Sequence, residues 1–342
     1  MLDCYSTNAT VAKIRSIHGN MFTRENYHDL IARRSVPEAA EYLARSKRFK
    51  EAFREVDPNT VHRGFLEELL YKENFNTYVR LCKFQGLDKM PFYDFMIRRR
   101  EIESILSLIN NMNSGLHNSY LNNLPGYVIK HSKINLLEMS KAEKYEDLLK
   151  LLRGTHYYKV LVKIPVLEDG NADYTECELR LRSEFFENLL EVVRKDFLSG
   201  EAKELEDIIA REITALNLIN AYRMKAFFGY SGDEIKKRSI KVSGVGSKKL
   251  EKYYELESAD TMLEWITKSQ YGINDDTEYI ETKINSAKYV SLSHVIARSV
   301  SAPVVLYAFM QLCNIEVSNI VHIIEGIRYN VDPSVIESQL IV

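Results

Sequence analysis

The chain has 342 residues, of which 45% are hydrophobic and 27% are charged. This length accommodates two or three domains, and the apolar content is sufficient for a buried core in each of them. A formal net charge of −2 excludes a strong non-specific attraction to nucleic acid. The four cysteines lack metal-ligand spacing, so they indicate reduced thiols in a cytosolic protein and exclude a disulfide framework.

Glycine and proline are scarce, with 14 and 7 residues respectively, and residues that favour helices are frequent, which predicts a mostly α-helical chain. A first helix starts over residues 8–17. Thr23 is expected to cap the second helix. The third helix is expected to start within Ser35-Val-Pro37-Glu38, with Pro37 at its first position. A long helix follows that includes Leu66 and Leu70. Pro91 then opens a helix whose apolar residues recur at helical spacing and predict one buried face: Ile102, Ile105, Ile109 and Met112.

The middle of the chain begins near residue 130 and repeats a helix over residues 143–152. Apolar and polar residues alternate in two stretches within residues 159–182, which indicates a small β-hairpin in an otherwise helical chain. The helical pattern returns from Ser183 through Tyr222. A short glycine-containing loop at Gly244 and Gly246 then precedes the last part of the chain.

A short motif recurs three times at a pitch of roughly 110 residues. Its copies read Leu43-x-x-Ser46-x-x-Phe49, Leu152-x-x-Thr155-x-Tyr157 and Ile266-x-x-Ser269-x-Tyr271. Each copy joins an apolar residue, a hydroxyl and an aromatic residue. Hydroxyls at helix ends usually satisfy backbone groups, so we interpret them as structural and not as catalytic nucleophiles.

A second motif, a helix, follows each copy of the first. Glu101-Ile-Glu-Ser104-Ile105 and Glu316-Val-Ser-Asn319-Ile320 align without a gap, and their apolar positions coincide. The middle copy, which starts at Asn217, fits the same frame, although Glu212 stands two residues out of step. A tail that contains Ile336 also echoes the middle copy around Ile235.

Two motifs in the same order, three times, predict an all-α fold of three similar helical lobes. We expect these lobes to span residues 1–130, 131–245 and 246–342 and to close on themselves with pseudo-three-fold symmetry. Solenoid repeats are shorter, at about 20–50 residues each. Such a body is typical of a scaffold or a coupling and not of a single-pocket enzyme.

The sequence contains no pattern for catalysis, for a cofactor or for a metal. It has no H-E-x-x-H motif, and the segment around Gly244 lacks the spacing of a phosphate-binding loop. It shows no targeting segment and no apolar run long enough to span a membrane. The nearest run, residues 302–315, is interrupted by Pro303, Gln311 and Asn314. We therefore expect any membrane association to run through a partner.

The repeated helix resembles that of a known family. Asn319-Ile-Val-x-Ile-Ile-x-Gly326-Ile-Arg328 and Asn217-Leu-Ile-Asn-Ala-Tyr-Arg223-Met-Lys225 are similar to the repeated helix of the C subunit of V-type and A-type rotary ATPases (ATP synthases), whose eukaryotic counterpart is the d subunit. The resemblance covers nearly the whole chain and includes its three-fold layout.

The resemblance implies a three-lobed helical socket, or funnel, without a catalytic site or cofactor of its own. It implies a peripheral position at the cytoplasmic face of a membrane, where the protein joins two partners. One is the foot of the central shaft, and the other is the membrane rotor ring. ATP hydrolysis or synthesis, and the choice between H⁺ and Na⁺, would belong to other subunits.

Basic residues at or near the ends of the repeated helices are the candidate interface residues. They are Arg98, Arg99, Arg100, Arg223, Lys225 and Arg328. Equally, basic side chains at such positions can cap helix ends or lie in water. Two other functions stay open from the residues alone, a helical-repeat adaptor that binds a soluble protein and an enzyme with a cleft between lobes.

Overall fold

The structure is a computed structural model that describes residues 4–54, 56–57, 62–86, 89–116, 119–122, 124–246, 248–272 and 279–342. These residues form eighteen α-helices and contain no β-strand. Two isolated β-bridges, Val166 with Ala172 and Val242 with Val245, are the only β-type pairing in the described part of the chain. The predicted all-α fold is therefore confirmed.

The chain divides into two compact units, and unit 1 contains Met1–Asp88, Ser199–Ala226 and Leu256–Val342. Its helices are α1 (Cys4–His18), α2 (Arg24–Ile31), α3 (Val36–Arg45), α4 (Arg63–Gln85), α12 (Ser199–Phe228, except its last two residues), α15 (Ala259–Lys268), α16 (Ile280–Arg298), α17 (Ala302–Arg328) and α18 (Pro333–Ser338). Thr23 caps α2 as predicted, and the third helix starts where it was expected, with Ser35 as the cap of α3; each hydroxyl accepts a hydrogen bond from the backbone of the first turn.

Unit 2 contains Lys89–Leu198 and Phe227–Glu255. Its helices are α5 (Phe95–Asn113), α6 (Ser119–Asn122), α7 (Gly126–His131), α8 (Leu136–Met139), α9 (Tyr145–Leu151), α10 (His156–Leu161), α11 (Tyr174–Asp196), α13 (Gly232–Lys237) and α14 (Lys248–Tyr254), preceded by a 3₁₀ turn at Pro91–Asp94. Both units combine segments that the sequence assigned to different lobes. The division into three lobes with pseudo-three-fold symmetry stays a prediction.

Helix α17 forms the centre of unit 1. It packs against α1, α2, α3, α4, α16 and α18, so it is covered from several sides. In the described part of the chain, α17 is the one helix long and apolar enough to cross a membrane, yet 83% of its most apolar window is buried inside the protein. Burial of this extent is what the core helix of a globular unit shows. Pro303 lies in its first turn and Gln311 is buried, so neither residue interrupts it.

The core of unit 2 forms between α5 and α11, which also packs against α10. The predicted apolar face of α5 is confirmed, because all four of its residues are buried: Ile102, Ile105, Ile109 and Met112. On α11, Cys177, Leu181 and Phe185 are buried at intervals of one helical turn.

The predicted β-hairpin within residues 159–182 is wrong. Its first stretch, residues 160–164, begins in the last two residues of α10 and continues as a turn, and its second stretch lies in α11. Only the turn around Gly170 retains a single β-bridge. The alternation of Cys177, Leu179 and Leu181 suggested a strand. Cys177 and Leu181 are also four residues apart, which suits a helix face, and the burial of Phe185 one turn later extends that face.

The recurring hydroxyl motif has one local structure in all three copies. Ser46, Thr155 and Ser269 each donate a hydrogen bond from the side chain to the carbonyl three residues earlier, at 2.7, 2.7 and 3.0 Å. Each hydroxyl oxygen then accepts a backbone amide two or three residues later, at 3.1 to 3.2 Å. The hydroxyls therefore close the end of one helix and order the turn that follows, which confirms the structural interpretation.

Gly326 allows α18 to approach α17 closely, which generates a prediction. A Cβ atom at Gly326 would clash with Cδ1 of Ile336 and lie 2.7 Å from its Cγ1, whereas a Cβ at Gly200, in the first turn of α12, would have no neighbour within 4 Å. We expect Gly326→Ala to lower the free energy of unfolding by about 1–3 kcal/mol through overpacking. Gly200→Ala should leave it unchanged or raise it slightly, because alanine favours helix.

Chemical denaturation of both variants checks this prediction. Combining Gly326→Ala with Ile336→Ala should cost little more than Ile336→Ala alone, because the clashing atoms are then absent. Additive losses in the double variant would contradict the close-approach explanation.

Candidate functional site

A buried carboxylate on α17 holds the first part of unit 1 in place. Glu316 accepts a hydrogen bond from the backbone amide of Phe22 at 2.8 Å and from Nε of Arg48 at 3.0 Å. The side chains of Glu316 and Arg48 are 1% and 3% exposed, so the ion pair is shielded from water. Burial raises the pKa of Glu316, and the Arg48 guanidinium and the Phe22 amide oppose that shift.

Arg48 makes two further contacts in this cluster. One of its terminal nitrogens lies 3.6 Å from Sγ of Cys313, and its guanidinium lies 5.0 Å from the ring centre of Phe49. Burial raises the pKa of the Cys313 thiol to about 12, which keeps it protonated at neutral pH. A buried, protonated thiol is a packing residue and not a nucleophile.

An equivalent carboxylate lies in unit 2. Glu101 on α5 accepts hydrogen bonds from Oγ of Ser132 at 2.9 Å, from the amide of Lys133 at 2.6 Å and from Oη of Tyr157 at 2.6 Å. All three donors are neutral groups. Burial, together with the charge of Glu101, raises the pKa of the Tyr157 hydroxyl, so this tyrosine is a hydrogen-bond donor at neutral pH.

The two carboxylates join different copies of the repeat. Glu101 and Glu316 occupy the same position in the gap-free alignment of the repeated helix, and Arg48 and Tyr157 each stand two residues after the hydroxyl of their motif. In unit 1 the helix of the third copy therefore binds the hydroxyl motif of the first. In unit 2 the helix of the first copy binds the motif of the second.

The middle copy uses its carboxylates differently. Glu212 on α12 accepts a hydrogen bond from Oη of Tyr307 on α17 at 2.7 Å. Earlier in α12, Glu201 and Glu204 accept the hydroxyls of Ser301 and Ser299 at 2.6 and 2.7 Å, where α16 ends and α17 begins. Glu212 stands two residues away from the position that Glu101 and Glu316 occupy in the aligned helix, and its partner is a residue of α17 and not of a hydroxyl motif.

Three of the six candidate basic residues are engaged within unit 2. Arg98 pairs with Glu184 at 3.2 Å and donates to Asn188, both on α11. Arg99 lies 5.0 Å from the ring centre of Phe185 on the same helix. Arg98 and Arg99 thus meet one face of α11, where they contribute to packing. Arg100 pairs with Glu103 at 2.6 Å on its own helix.

The other three candidates lie in unit 1, and two of them are exposed. Arg223 is exposed and pairs with Glu281 at 2.8 Å, and Lys225 is partly buried. Arg328 is exposed, and its guanidinium lies 5.4 Å from the ring centre of Tyr329. Across the described residues, no three His, Cys, Asp or Glu side chains cluster in a way that could hold a metal ion.

Residues 10–339 of the chain match the family described as ATP synthase (C/AC39) subunit. The chain belongs to this family. The match spans nearly the whole sequence, including all three copies of both motifs, and it confirms the resemblance drawn from the repeated helix.

Three relatives are named as the C subunit of an A-type ATP synthase. The protein of Desulfurococcus sp. (strain SY) is 24% identical over 295 residues, which cover 84% of this chain and 75% of the relative. That of Methanococcoides burtonii is 24% identical over 347 residues, covering 97% of this chain and 93% of the relative. That of Methanosphaera stadtmanae is 23% identical over 282 residues, covering 80% and 68%.

The partners of the buried carboxylates were not predicted from the sequence of this family member. Arg48 had no visible role, and Tyr157 was visible only as the aromatic residue of its motif, because their glutamate partners lie far away in the chain. The sequence did contain a signal for these contacts. Glu101 and Glu316 occupy the same position of the aligned helix among buried apolar residues, and a buried charged side chain needs a partner.

The ion pair in unit 1 and the neutral cluster in unit 2 predict different responses to the same substitution. Glu316→Gln leaves the Arg48 charge buried without a counter-ion, and we expect a loss of about 3–5 kcal/mol in the free energy of unfolding. Glu101→Gln keeps an amide oxygen for neutral donors and should cost about 1–3 kcal/mol. Chemical denaturation, followed by a fluorescence probe placed in the unit that carries the substitution, measures both values.

Removal of both charges provides the control. The variant Arg48→Met/Glu316→Gln should be more stable than Glu316→Gln alone, because no uncompensated charge remains. Equal losses for Glu316→Gln and Glu101→Gln, without recovery in the double variant, would contradict the charge-based explanation.

His156 predicts a pH dependence of stability in unit 2. Burial, with smaller effects from Arg98, Lys159 and Lys133, lowers its pKa to about 4. The unfolded chain binds the proton at a higher pH than the folded chain does, so the stability contributed by neutral His156 is lost as the pH falls from about 6.5 towards 4.

Replacing His156 with glutamine, which stays neutral, should remove this part of the pH dependence. We expect the difference in unfolding free energy between the wild type and His156→Gln to change by on the order of 2 kcal/mol between pH 7 and pH 4, with the wild type losing more. Denaturation curves at both pH values measure it. Parallel losses in the two proteins would show that His156 does not titrate between the folded and unfolded states as described.

Proposed function

We propose that the chain is a non-catalytic central-stalk subunit of a V/A-type rotary ATPase. It would act as a socket that receives the rotating shaft and couples it to the membrane rotor ring during ATP-driven or ATP-producing transport of H⁺ or Na⁺. The observation that carries this proposal is the family match over residues 10–339, together with relatives named as the C subunit of an A-type ATP synthase.

The packing of each unit suits a mechanical role. A coupling must transmit torque without deforming, and densely packed helices resist deformation. In unit 1, α17 is a buried helix of 27 residues, and Glu316 fastens it to Arg48. In unit 2, Glu101 fastens α5 to Tyr157. Breaking either connection would leave a buried carboxylate without its partner, which opposes sliding between helices.

In this role the chain would catalyse no reaction, and ATP chemistry would take place on other subunits. Its partners would be the shaft and the ring, both with polar, water-facing surfaces, so complementary charge would guide docking. It would lie at the cytoplasmic face of the membrane as a peripheral part of the complex. The burial of α17 supports attachment through partners and not by insertion.

The six basic residues have different prospects as interface residues under this proposal. Arg98, Arg99 and Arg100 are engaged within unit 2, whereas Arg328 is exposed and contacts a neighbouring aromatic ring. We therefore favour Arg328, followed by Lys225 and Arg223, as the residues that meet a partner. The runner-up function, a helical-repeat adaptor for a soluble protein, would place the same residues against a different partner.

A pull-down of the tagged full chain from detergent-solubilised membranes of its own cell tests the proposal. Mass spectrometry should identify a small, very hydrophobic ring protein together with a long coiled-coil shaft protein. An untagged extract serves as the control, and the ATPase is first shown to be present in it. Recovery of soluble partners only would overturn the coupling role and favour the adaptor.

A further inference from the structure

A strongly basic stretch lies in the last part of unit 2. Residues 236–252 contain seven lysines and arginines against one acidic residue, Glu251, although the whole chain has a formal net charge of −2. All seven basic side chains are exposed, and we call them the basic surface: Lys236, Lys237, Arg238, Lys241, Lys248, Lys249 and Lys252. A surface with this density of positive charge attracts negatively charged groups.

Two packed helices hold the basic surface in place. Helix α13 packs against α14, and Ile235, Leu250 and Tyr253 of these helices are buried. An ion pair between Lys236 and Glu251, at 3.2 Å, also joins the two helices. Because the apolar side chains are buried in the fold, the charged side chains lie on the outside. The basic residues therefore belong to a folded element that keeps them close together.

Acidic residues near the basic surface are engaged in contacts of their own. Glu234 accepts hydrogen bonds from the amide and the hydroxyl of Ser231, at 2.8 and 2.7 Å, in the cap of α13. Glu187 on α11 accepts the amide of Ser243 at 2.8 Å. Over residues 227–255 as a whole, seven basic residues stand against four acidic ones. The net charge of this part of unit 2 is therefore positive.

Two adjacent phenylalanines at the end of α12 are exposed beside the basic surface. Phe227 is 75% exposed and Phe228 is 68% exposed. The ring centre of Phe228 lies 5.6 Å from that of Tyr230, and the guanidinium of Arg238 lies 5.1 Å from the centre of the Tyr230 ring. A single exposed apolar residue is common and needs no explanation. Two neighbouring aromatic rings next to a cluster of positive charge form an amphipathic surface.

The residue types favour a lipid surface over a protein as the partner. Six of the seven basic residues are lysines, and lysine is depleted from protein interfaces. The lysine ammonium is a compact charge on a flexible stem, so it can follow headgroups that have no fixed arrangement. Clusters of about four to eight lysines and arginines are typical of proteins that bind anionic lipids. Exposed phenylalanines can enter the boundary between headgroups and acyl chains, where their apolar area leaves water.

We propose that the basic surface and the Phe227–Phe228 pair bind the anionic headgroups of a lipid bilayer directly. In this contact the lysines pair with phosphate groups, and the two rings enter the headgroup boundary. The contact is peripheral and leaves α17 buried. It goes beyond the proposed function, because it passes through neither the shaft nor the ring. It also departs from the expectation that any membrane association runs through a partner.

Co-sedimentation of the full chain with lipid vesicles tests the proposal. Vesicles of phosphatidylcholine with about 30% phosphatidylglycerol should bind the chain, and vesicles of phosphatidylcholine alone should not, because only the former carry negative surface charge. Raising the salt from about 50 to about 300 mM should weaken binding, because exposed charges are screened.

Two variants that each lack four lysines separate the basic surface from the net charge. The first carries Lys237→Gln, Lys241→Gln, Lys248→Gln and Lys249→Gln. Each lost charge should weaken vesicle binding by about fivefold, so this variant should no longer sediment with the vesicles. The control removes the same charge from exposed lysines elsewhere, through Lys47→Gln, Lys50→Gln, Lys163→Gln and Lys203→Gln. It should bind nearly as well as the wild type.

Substitutions at the aromatic pair test its entry into the bilayer. Phe227→Ser/Phe228→Ser should weaken vesicle binding by about tenfold. Val300→Ser is the control, since Val300 lies in unit 1 and is 72% exposed. In Phe228→Trp, vesicles should shift the added tryptophan emission to shorter wavelength, and brominated lipid should quench it. The wild type, whose single tryptophan is Trp265, supplies the background.

All variants should melt at the wild-type temperature, because the replaced side chains are exposed. A wild type that ignores anionic vesicles would overturn the inference, and so would equal losses in the two lysine variants, which would mean that net charge alone matters. If the first lysine variant keeps the vesicles but loses the ring or the shaft in the pull-down, the surface binds a protein instead. Failure of the proposed function is distinguishable, because the wild type would then recover neither ring nor shaft while still binding vesicles.

Discussion

The buried ion pair between Glu316 and Arg48 is the constraint on which unit 1 depends. A carboxylate and a guanidinium that are both removed from water are tolerable only when each satisfies the other. Because the pair is also bonded to the backbone at Phe22, it determines how the beginning of the chain lies on α17. The apolar packing around it, between α17 and the helices α1 to α4, then has one arrangement that keeps both charges paired.

In unit 2 the buried carboxylate is satisfied by hydrogen bonds alone, without a second charge. Glu101 takes the position of Glu316 in the repeated helix, but Tyr157 stands where Arg48 would be, and all of its donors are neutral. The repeat has therefore kept one geometry within this chain, a carboxylate of one copy held by the hydroxyl motif of another, while the chemistry of the partner has changed. This geometry also explains why compact units and sequence copies have different boundaries, since contacts join residues of different copies.

Under the coupling role proposed for this member of the ATP synthase (C/AC39) subunit family, these contacts have a mechanical interpretation. Buried polar contacts between helices resist sliding because displacement exposes each partner to an apolar surrounding. Side chains that make such contacts inside a unit are distinct from the exposed side chains that are available to partners. Arg98 and Arg99 are half-buried against α11 in unit 2, whereas the aromatic ends of α12 and α17 face water.

The sequence by itself determined the helical class, the buried face of α5, the cap at Thr23, the start of α3 and the role of the three hydroxyls. These features depend on residues within a few positions of one another, so local periodicity and helix-end chemistry are sufficient to predict them. The prediction of a hairpin within residues 159–182 was wrong although it also used neighbouring residues, because a short alternating stretch is compatible with a strand and with a helix face. Only the tertiary structure decided the partners of the charged residues. Arg48 and Glu316 are 268 residues apart in the chain, and the partner of a side chain at that separation is set by how helices pack and not by any local pattern.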